Sequence, residues 1–225
     1  NRRRPPKPPA LKPGTRSAPT PSPRGAWKAA GTAELAGNGC DSSWCTALFW
    51  IVPAKVEGTY KVAQGEVVLR QSFQMLSGSL RTGSFNTVLL RTANGLMPDG
   101  AQLLVKTIHG IPLYDGDAEA ANGIPAAVRE LGDAIANADG LLLATPEYNN
   151  SIPGPFKNAI DWLSRIEDGA WPVFTGKPVA VMGASPGGFG TVLAQDAWLS
   201  VLRTLETRTW FGGRLLVSRA AGVFN

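Results

Sequence analysis

Two cysteines and a single histidine in 225 residues leave little of the chemistry that side chains usually carry. Cys40, Cys45 and His109 are too few soft ligands for a zinc site and offer no Cys–His nucleophile pair. Neither a metal site nor a catalytic side chain is therefore expected. The lack of a disulfide framework favours a reducing compartment, which places the protein in the cytoplasm. Long apolar runs are missing too. Ala47 to Val52 is ended by Pro53 and falls far short of the roughly 20 residues a membrane span needs. No transmembrane helix or membrane partner is expected.

A basic folded face is also absent, although the net charge of +5 at first suggests one. Residues 1–65 hold ten Lys/Arg against three Asp/Glu, whereas residues 66–225 hold twelve against fourteen. The basicity belongs to the N-terminal region, so the foldable part carries no signal for phosphate-backbone binding, and nucleic acid is excluded as its partner. Residues 1–25 contain Arg2-Arg3-Arg4 and eight prolines with almost nothing apolar, which predicts disorder. Trp27, Trp44, Phe49 and Trp50 follow without a clean period. Residues 1–65 thus read as an extension of uncertain structure and residues 66–225 as one domain.

What is present is organised around Gly140 to Leu163. Leu141 to Ala144 reads as a strand buried on both faces, and it stops at Thr145-Pro146. Pro155 suits a first helical turn, and Phe156, Ala159, Ile160 and Leu163 give that helix one apolar face. Pro146-Glu147-Tyr148-Asn149 therefore lies at the carboxyl end of a parallel strand, where open α/β sheets bind ligands, although ordinary βα loops are polar as well. Elsewhere the pattern predicts a first strand over Val67 to Leu76 and a helix from Asn86 to about Gly95 with Val88, Leu89 and Ala93 inward. It then predicts a strand over Ala101 to Ile108 and a helix over about Ile124 to Ala138 with Val128, Leu131 and Ile135 inward. A strand over Lys177 to Ala184 follows, then a helix to about Glu206 with Leu193, Ala197, Val201, Leu202 and Leu205 inward, and a last strand near Arg208 to Val217. Alternation at this spacing implies a doubly wound, five-stranded parallel sheet of flavodoxin-like order 2-1-3-4-5. Its last helix is missing or truncated.

Gly78-Ser-Leu-Arg-Thr-Gly-Ser-Phe-Asn86 has the parts of an anion cradle: two glycines, neutral donors at Ser79, Thr82, Ser84 and Asn86, the charge of Arg81, and a helix N-terminus behind them. It lacks the Walker ending and the dinucleotide Gly-x-Gly-x-x-Gly, so a monophosphate fits best. Ser84 or Asn86 could instead simply cap the helix. Ser185-Pro-Gly-Gly-Phe-Gly190 lets backbone approach a flat ligand. Taken together, the three loops describe a site for a phosphorylated planar ring.

These stretches, with Lys157-Asn158-Ala-Ile-Asp161-Trp162 and Lys177-Pro178, closely resemble the NADPH-dependent FMN reductase family of quinone, chromate and azo reductases, over roughly residues 75–224. The resemblance implies bound FMN, NADPH or NADH as hydride donor, a small-molecule electron acceptor, and a homodimer or homotetramer. It places Ser79, Arg81, Ser84, Phe85 and Asn86 around the FMN phosphate, with Pro146, Glu147, Tyr148 and Asn149 along the ring and Ser185, Pro186 and Gly187 at its other edge. With no nucleophile or metal, the flavin would carry the chemistry. Glu147 then reads as a structural acceptor, because flavin hydride transfer needs no base there, and Lys157 with Asp161 as a surface pair. Backbone N–H groups of Glu147–Ser151 and Ser185–Gly188 would stabilise charge on the reduced ring. Two rivals share the fold: a flavodoxin-like electron carrier, whose strongly acidic surface this chain lacks, and a truncated, non-catalytic relative.

Overall fold

The computed structural model describes residues 61–63, 66–68, 71–97, 101–166 and 173–224. The expectations for residues 1–25 and for Trp27, Trp44, Phe49 and Trp50 lie outside the described residues.

Two short strands, β1 (Lys61–Ala63) and β2 (Glu66–Val68), pair antiparallel as a separate ribbon. The main sheet begins at β3 (Gln71–Ser77). This corrects the expected first strand: Val67 and Val68 belong to the ribbon, and only the part from Gln71 onward enters the parallel sheet. The remaining order is α1 (Phe85–Asn94), β4 (Ala101–Thr107), α2 (Gly116–Asn122), α3 (Ala126–Ala136), β5 (Gly140–Ala144), α4 (Gly154–Leu163), β6 (Pro178–Ala184), α5 (Val192–Thr204), β7 (Arg208–Thr209), β8 (Leu215–Val217) and α6 (Ala220–Val223). Strand order is β4-β3-β5-β6, with β7 and β8 both pairing to β6. All these pairings are parallel. The fold is the expected flavodoxin-like one, and its fifth position is split by an excursion over residues 210–214. Arg214 fastens that excursion to α5 through the Val192 carbonyl (2.8 Å) and Asp196 (2.9 Å).

The apolar periods explain the layers. β5 is buried at every residue, as a central parallel strand must be. One face of the sheet packs Leu76, Leu141, Leu143 and Val179 against Val128, Leu131 and Ile135 of α3, Phe156, Ile160 and Leu163 of α4, and Trp198 and Leu202 of α5. The opposite face packs Phe73, Met75, Leu142 and Met182 against Leu89 and Leu90 of α1 and Ala220 of α6. The inward faces of α3 and α4 are as expected. In α5 the buried residues are Ala194, Gln195, Trp198 and Leu202, while Leu193 is exposed. The bulk of Trp198, edge-on to Phe156 at 4.9 Å, sets the rotation of that helix. Gln74, buried in β3, donates to the Leu104 carbonyl at 2.6 Å, so a polar residue is tolerated in a central strand.

Helix ends show where charge is used. α3 ends without a basic residue of its own. Lys177, just before β6, donates instead to the carbonyls of Ala136 (3.0 Å) and Ala138 (2.6 Å). An ammonium suits the negative end of a helix, although burial pushes its pKa down, partly offset by Asp139. No helix among the described residues is long and apolar enough to cross a membrane.

Candidate functional site

The carboxyl ends of β3, β5 and β6 open onto one cleft. Its walls are Ser79, Arg81, Ser84, Phe85 and Asn86 after β3, Pro146, Glu147 and Tyr148 after β5, and Ala184, Ser185 and Pro186 at the end of β6. Three loops far apart in the chain are therefore brought together as expected, the first and third tied by a bond spanning 98 positions. Asn149 and Gly187 do not line the cleft, and Ala184, not anticipated from sequence, does.

Close packing beneath the first loop fixes its path. A Cβ on Gly78 would lie 2.0 Å from Cδ1 of Phe156, so only glycine lets the backbone pass over α4. The Gly78 N–H donates to the Ala144 carbonyl at 2.9 Å, tying the ends of β3 and β5. Past it, Ser79 is buried and accepts from the Arg81 N–H at 3.3 Å. Arg81 is exposed, and no carboxylate among the described residues pairs with it. His109, just after β4, steadies this loop from the side: Nε2 donates to the Leu80 carbonyl at 3.1 Å, and Nδ1 lies 3.0 Å from the Thr107 hydroxyl.

Ser84 is the N-cap of α1, accepting from the Thr87 N–H at 3.4 Å. Capping uses its oxygen as acceptor and leaves its hydroxyl proton for the cleft. The first N–H groups of α1, on Phe85 and Asn86, have no intrahelical partner and open toward the same region. The Asn86 side chain is committed elsewhere. Its Nδ2 donates to the Ala184 carbonyl and its Oδ1 accepts from the Ala184 N–H, both at 2.9 Å. It fastens the start of α1 to the end of β6 across the intervening strand β5.

The second loop is rigid for local reasons. Tyr148 and Ser151 exchange backbone hydrogen bonds of 3.2 and 3.1 Å, and between them Asn149 and Asn150 both have positive φ, 50° and 60°. This is the geometry of a two-residue type I′ turn, for which asparagine is among the favoured residues. It sets Asn149 at the tip of the turn, outside the cleft lining, while Tyr148 stands 45% exposed at the rim. Below it, Thr145 is fully buried, donating to the Pro146 carbonyl and accepting from the Trp198 indole. Glu147 accepts from the N–H groups of Leu193 (2.8 Å) and Ala194 (2.9 Å) through one carboxylate oxygen, Oε2. Its carboxylate thus acts as a structural acceptor.

In the third loop the Ser185 N–H donates to Val217 and the Gly187 N–H to the Ser185 hydroxyl. Tyr148, Ser151, Ser185 and Gly187 thus have their amides engaged. Among the described residues, those of Glu147, Asn149, Asn150 and Gly188 have no protein acceptor, which narrows the backbone donors expected along this edge. Phe85 stacks on Phe224 with centroids 6.2 Å apart, closing the cleft from the side of α6.

The Lys157–Trp162 motif anchors the chain after β4. Asn158 and Trp162 both donate to the Pro112 carbonyl, and Asn158 accepts from the Tyr114 N–H. Lys157 and Asp161 form the exposed i,i+4 pair anticipated. Tyr114 donates to Glu119, which also pairs with Arg165. The Tyr114 hydrogen bond holds the Glu119 carboxyl below its ordinary range and raises the phenol. No group of His, Cys, Asp and Glu among the described residues could hold a metal ion.

The profile of the family described as NADPH-dependent FMN reductase matches residues 73–222, two thirds of the chain. The chain belongs to this family. An NAD(P)H-dependent FMN reductase of Pseudomonas aeruginosa is 44% identical over 150 residues, covering 67% of this chain and 79% of its own. A quinone reductase of Escherichia coli K12 is 45% identical over 132 residues, 58% of this chain and 69% of its own. Among solved structures, the flavoenzyme NAD(P)H:acceptor oxidoreductase of Paracoccus denitrificans superposes with a TM-score of 0.59 at 34% identity, over 65% of this chain and 79% of that one. All three cleft loops fall inside the stretch that defines the family.

Proposed function

We propose that this member of the family is an FMN-dependent NAD(P)H oxidoreductase that reduces a small acceptor: a quinone, an azo compound, chromate or free flavin. The observation that carries the reading is a convergence in one cleft. Arg81 without a carboxylate partner, the hydroxyls of Ser79 and Ser84 and the open N-terminus of α1 meet there, facing a rim that bears Tyr148 and Pro186. A cationic, donor-rich end and a flat aromatic rim suit the two ends of FMN. The enclosed part is only about 60 Å³, room for an anionic head group rather than for a whole planar ring. The ring therefore belongs on the open side.

When bound, FMN supplies hydride acceptance and donation. The chain's residues do the rest. Arg81, Ser79, Ser84 and the Phe85 and Asn86 N–H groups hold the phosphate, and Pro146, Tyr148 and Pro186 limit where the ring can lie. The amides of Glu147, Asn149, Asn150 and Gly188, which have no protein acceptor among the described residues, would be the backbone donors available to the ring's polar edge. The exposure of Tyr148 leaves one face open, so donor and acceptor take turns at the same surface. Dependence on a nicotinamide donor fits a cytoplasmic protein, and the family resemblance implies a homodimer or homotetramer.

The test is anaerobic addition of NADPH to the purified protein reconstituted with FMN. Bleaching of the flavin absorption, restored by a quinone, is the expected result. Bound flavin that neither NADPH nor NADH bleaches would overturn the enzymatic reading in favour of an electron carrier or a non-catalytic relative.

A further inference from the structure

The start of α5 presents a discrepancy between sequence and structure. Thr191 is its N-cap residue by position, yet its side chain makes no capping hydrogen bond. The hydroxyl is buried against β6, where a Cβ on Gly183 would come within 2.0 Å of it, and it accepts from Gln195 at 3.1 Å. The capping role passes to Glu147, 46 residues upstream, whose Oε2 takes the N–H groups of Leu193 and Ala194. A carboxylate at a helix N-terminus is favoured by hydrogen bonding and by the helix dipole. Here it has a geometric consequence as well. Glu147 immediately precedes Tyr148 on one wall of the cleft, and α5 begins directly after the Ser185–Gly190 loop that forms the other.

We propose that Glu147 is a positioning residue for the flavin: as the N-cap of α5 supplied from the β5–α4 loop, it fixes the separation of the two loops between which the ring is held. This role rests on the cofactor reading above. Asn86 performs the companion task on the phosphate side, joining α1 to Ala184, so the three loops are braced before any ligand arrives. Preorganisation of this kind removes an ordering cost from binding. Glu147 accordingly contributes to affinity without donating a hydrogen bond to the ligand.

The test uses Glu147→Gln, which keeps an acceptor oxygen, Glu147→Ala, which does not, and Asp115→Ala. Asp115 caps α2 by accepting from the Asp117 N–H, so its removal is a comparable cap loss away from the cleft. In the flavin-free protein, amide hydrogen exchange at Leu193 and Ala194 should speed by about tenfold in Glu147→Ala and stay near parental in Glu147→Gln. The FMN dissociation constant should rise by about tenfold in Glu147→Ala alone. If parent and all variants bind FMN equally, if Gln fails as Ala does, or if Asp115→Ala weakens FMN as much, the role is overturned. A parent that binds no FMN sinks the cofactor reading and this role together, which distinguishes the two failures.

Discussion

The two faces of the sheet are unequal. Among the described residues, three helices, α3, α4 and α5, cover one face with Phe156, Trp162 and Trp198 almost fully buried, whereas α1 and the four-residue α6 pack on the other. The difference separates support from site. The thick face anchors the framework, and α4 and α5 on that side hold the loops from below through Phe156 under Gly78, Trp198 on Thr145 and the first turn of α5 on Glu147. The thin face contributes α1, whose N-terminus opens into the cleft. Stability and ligand binding should therefore respond to different substitutions.

The largest expected effect is on the thick face. Phe156→Ala empties a fully buried position in contact with Trp198 and should cost about 3–5 kcal/mol. Phe85→Ala, which loses a half-buried stack on Phe224, should cost about 0.5–1.5 kcal/mol for that pair. Urea denaturation of both variants checks the ranking, and equal losses would erase the distinction between the faces.

Next comes the point where the thick face meets the site. Gly78→Ala forces a methyl group into the Phe156 ring, and overpacking of this kind costs about 1–3 kcal/mol. Because the displaced segment carries Ser79 and Arg81, FMN affinity should fall together with the melting temperature. A variant that loses stability but binds FMN as the parent does would show that the loop moves independently of α4.

A smaller effect is expected at the rim. Asn149→Ala puts alanine at φ 50° and should cost about 1 kcal/mol, while Asn149→Gly should be nearly neutral. Both should leave FMN affinity close to parental if the Asn149 side chain shapes the turn rather than touching the ring, since both keep the backbone N–H. Thermal melts and FMN titration separate these roles, and weakened binding in the glycine variant would return the Asn149 side chain to the ring.

The pattern of what was legible in the sequence follows the range of each interaction. The βα alternation, the buried faces of α3 and α4 and the grouping of three loops rest on local periodicity and on topology, so they could be read directly. Val67 and Val68 have the same apolar character as a sheet strand, and only their partners at Lys61 and Val62 show them to belong to a ribbon. Asn86 looked like a phosphate ligand because its residue type suits one. Its bidentate bond to Ala184, 98 positions away, cannot be read from spacing. Thr191 stands at the N-cap position of α5, and only its packing against Gly183 shows why Glu147 takes over the capping. Asn149-Asn150 did carry a local signal, since two asparagines between Tyr148 and Ser151 suit a type I′ turn.

The central claim is that Arg81 and the N-terminus of α1 hold the phosphate of FMN, and riboflavin, which lacks that phosphate, tests it most directly. Titrating the parent and Arg81→Ala with FMN and with riboflavin isolates the phosphate's contribution in each protein. The account predicts that the parent prefers FMN and that Arg81→Ala removes about 1.5–3 kcal/mol of that preference, ten- to hundredfold in affinity, with riboflavin binding and melting temperature unchanged. An Arg81→Ala variant that prefers FMN as strongly as the parent would contradict it.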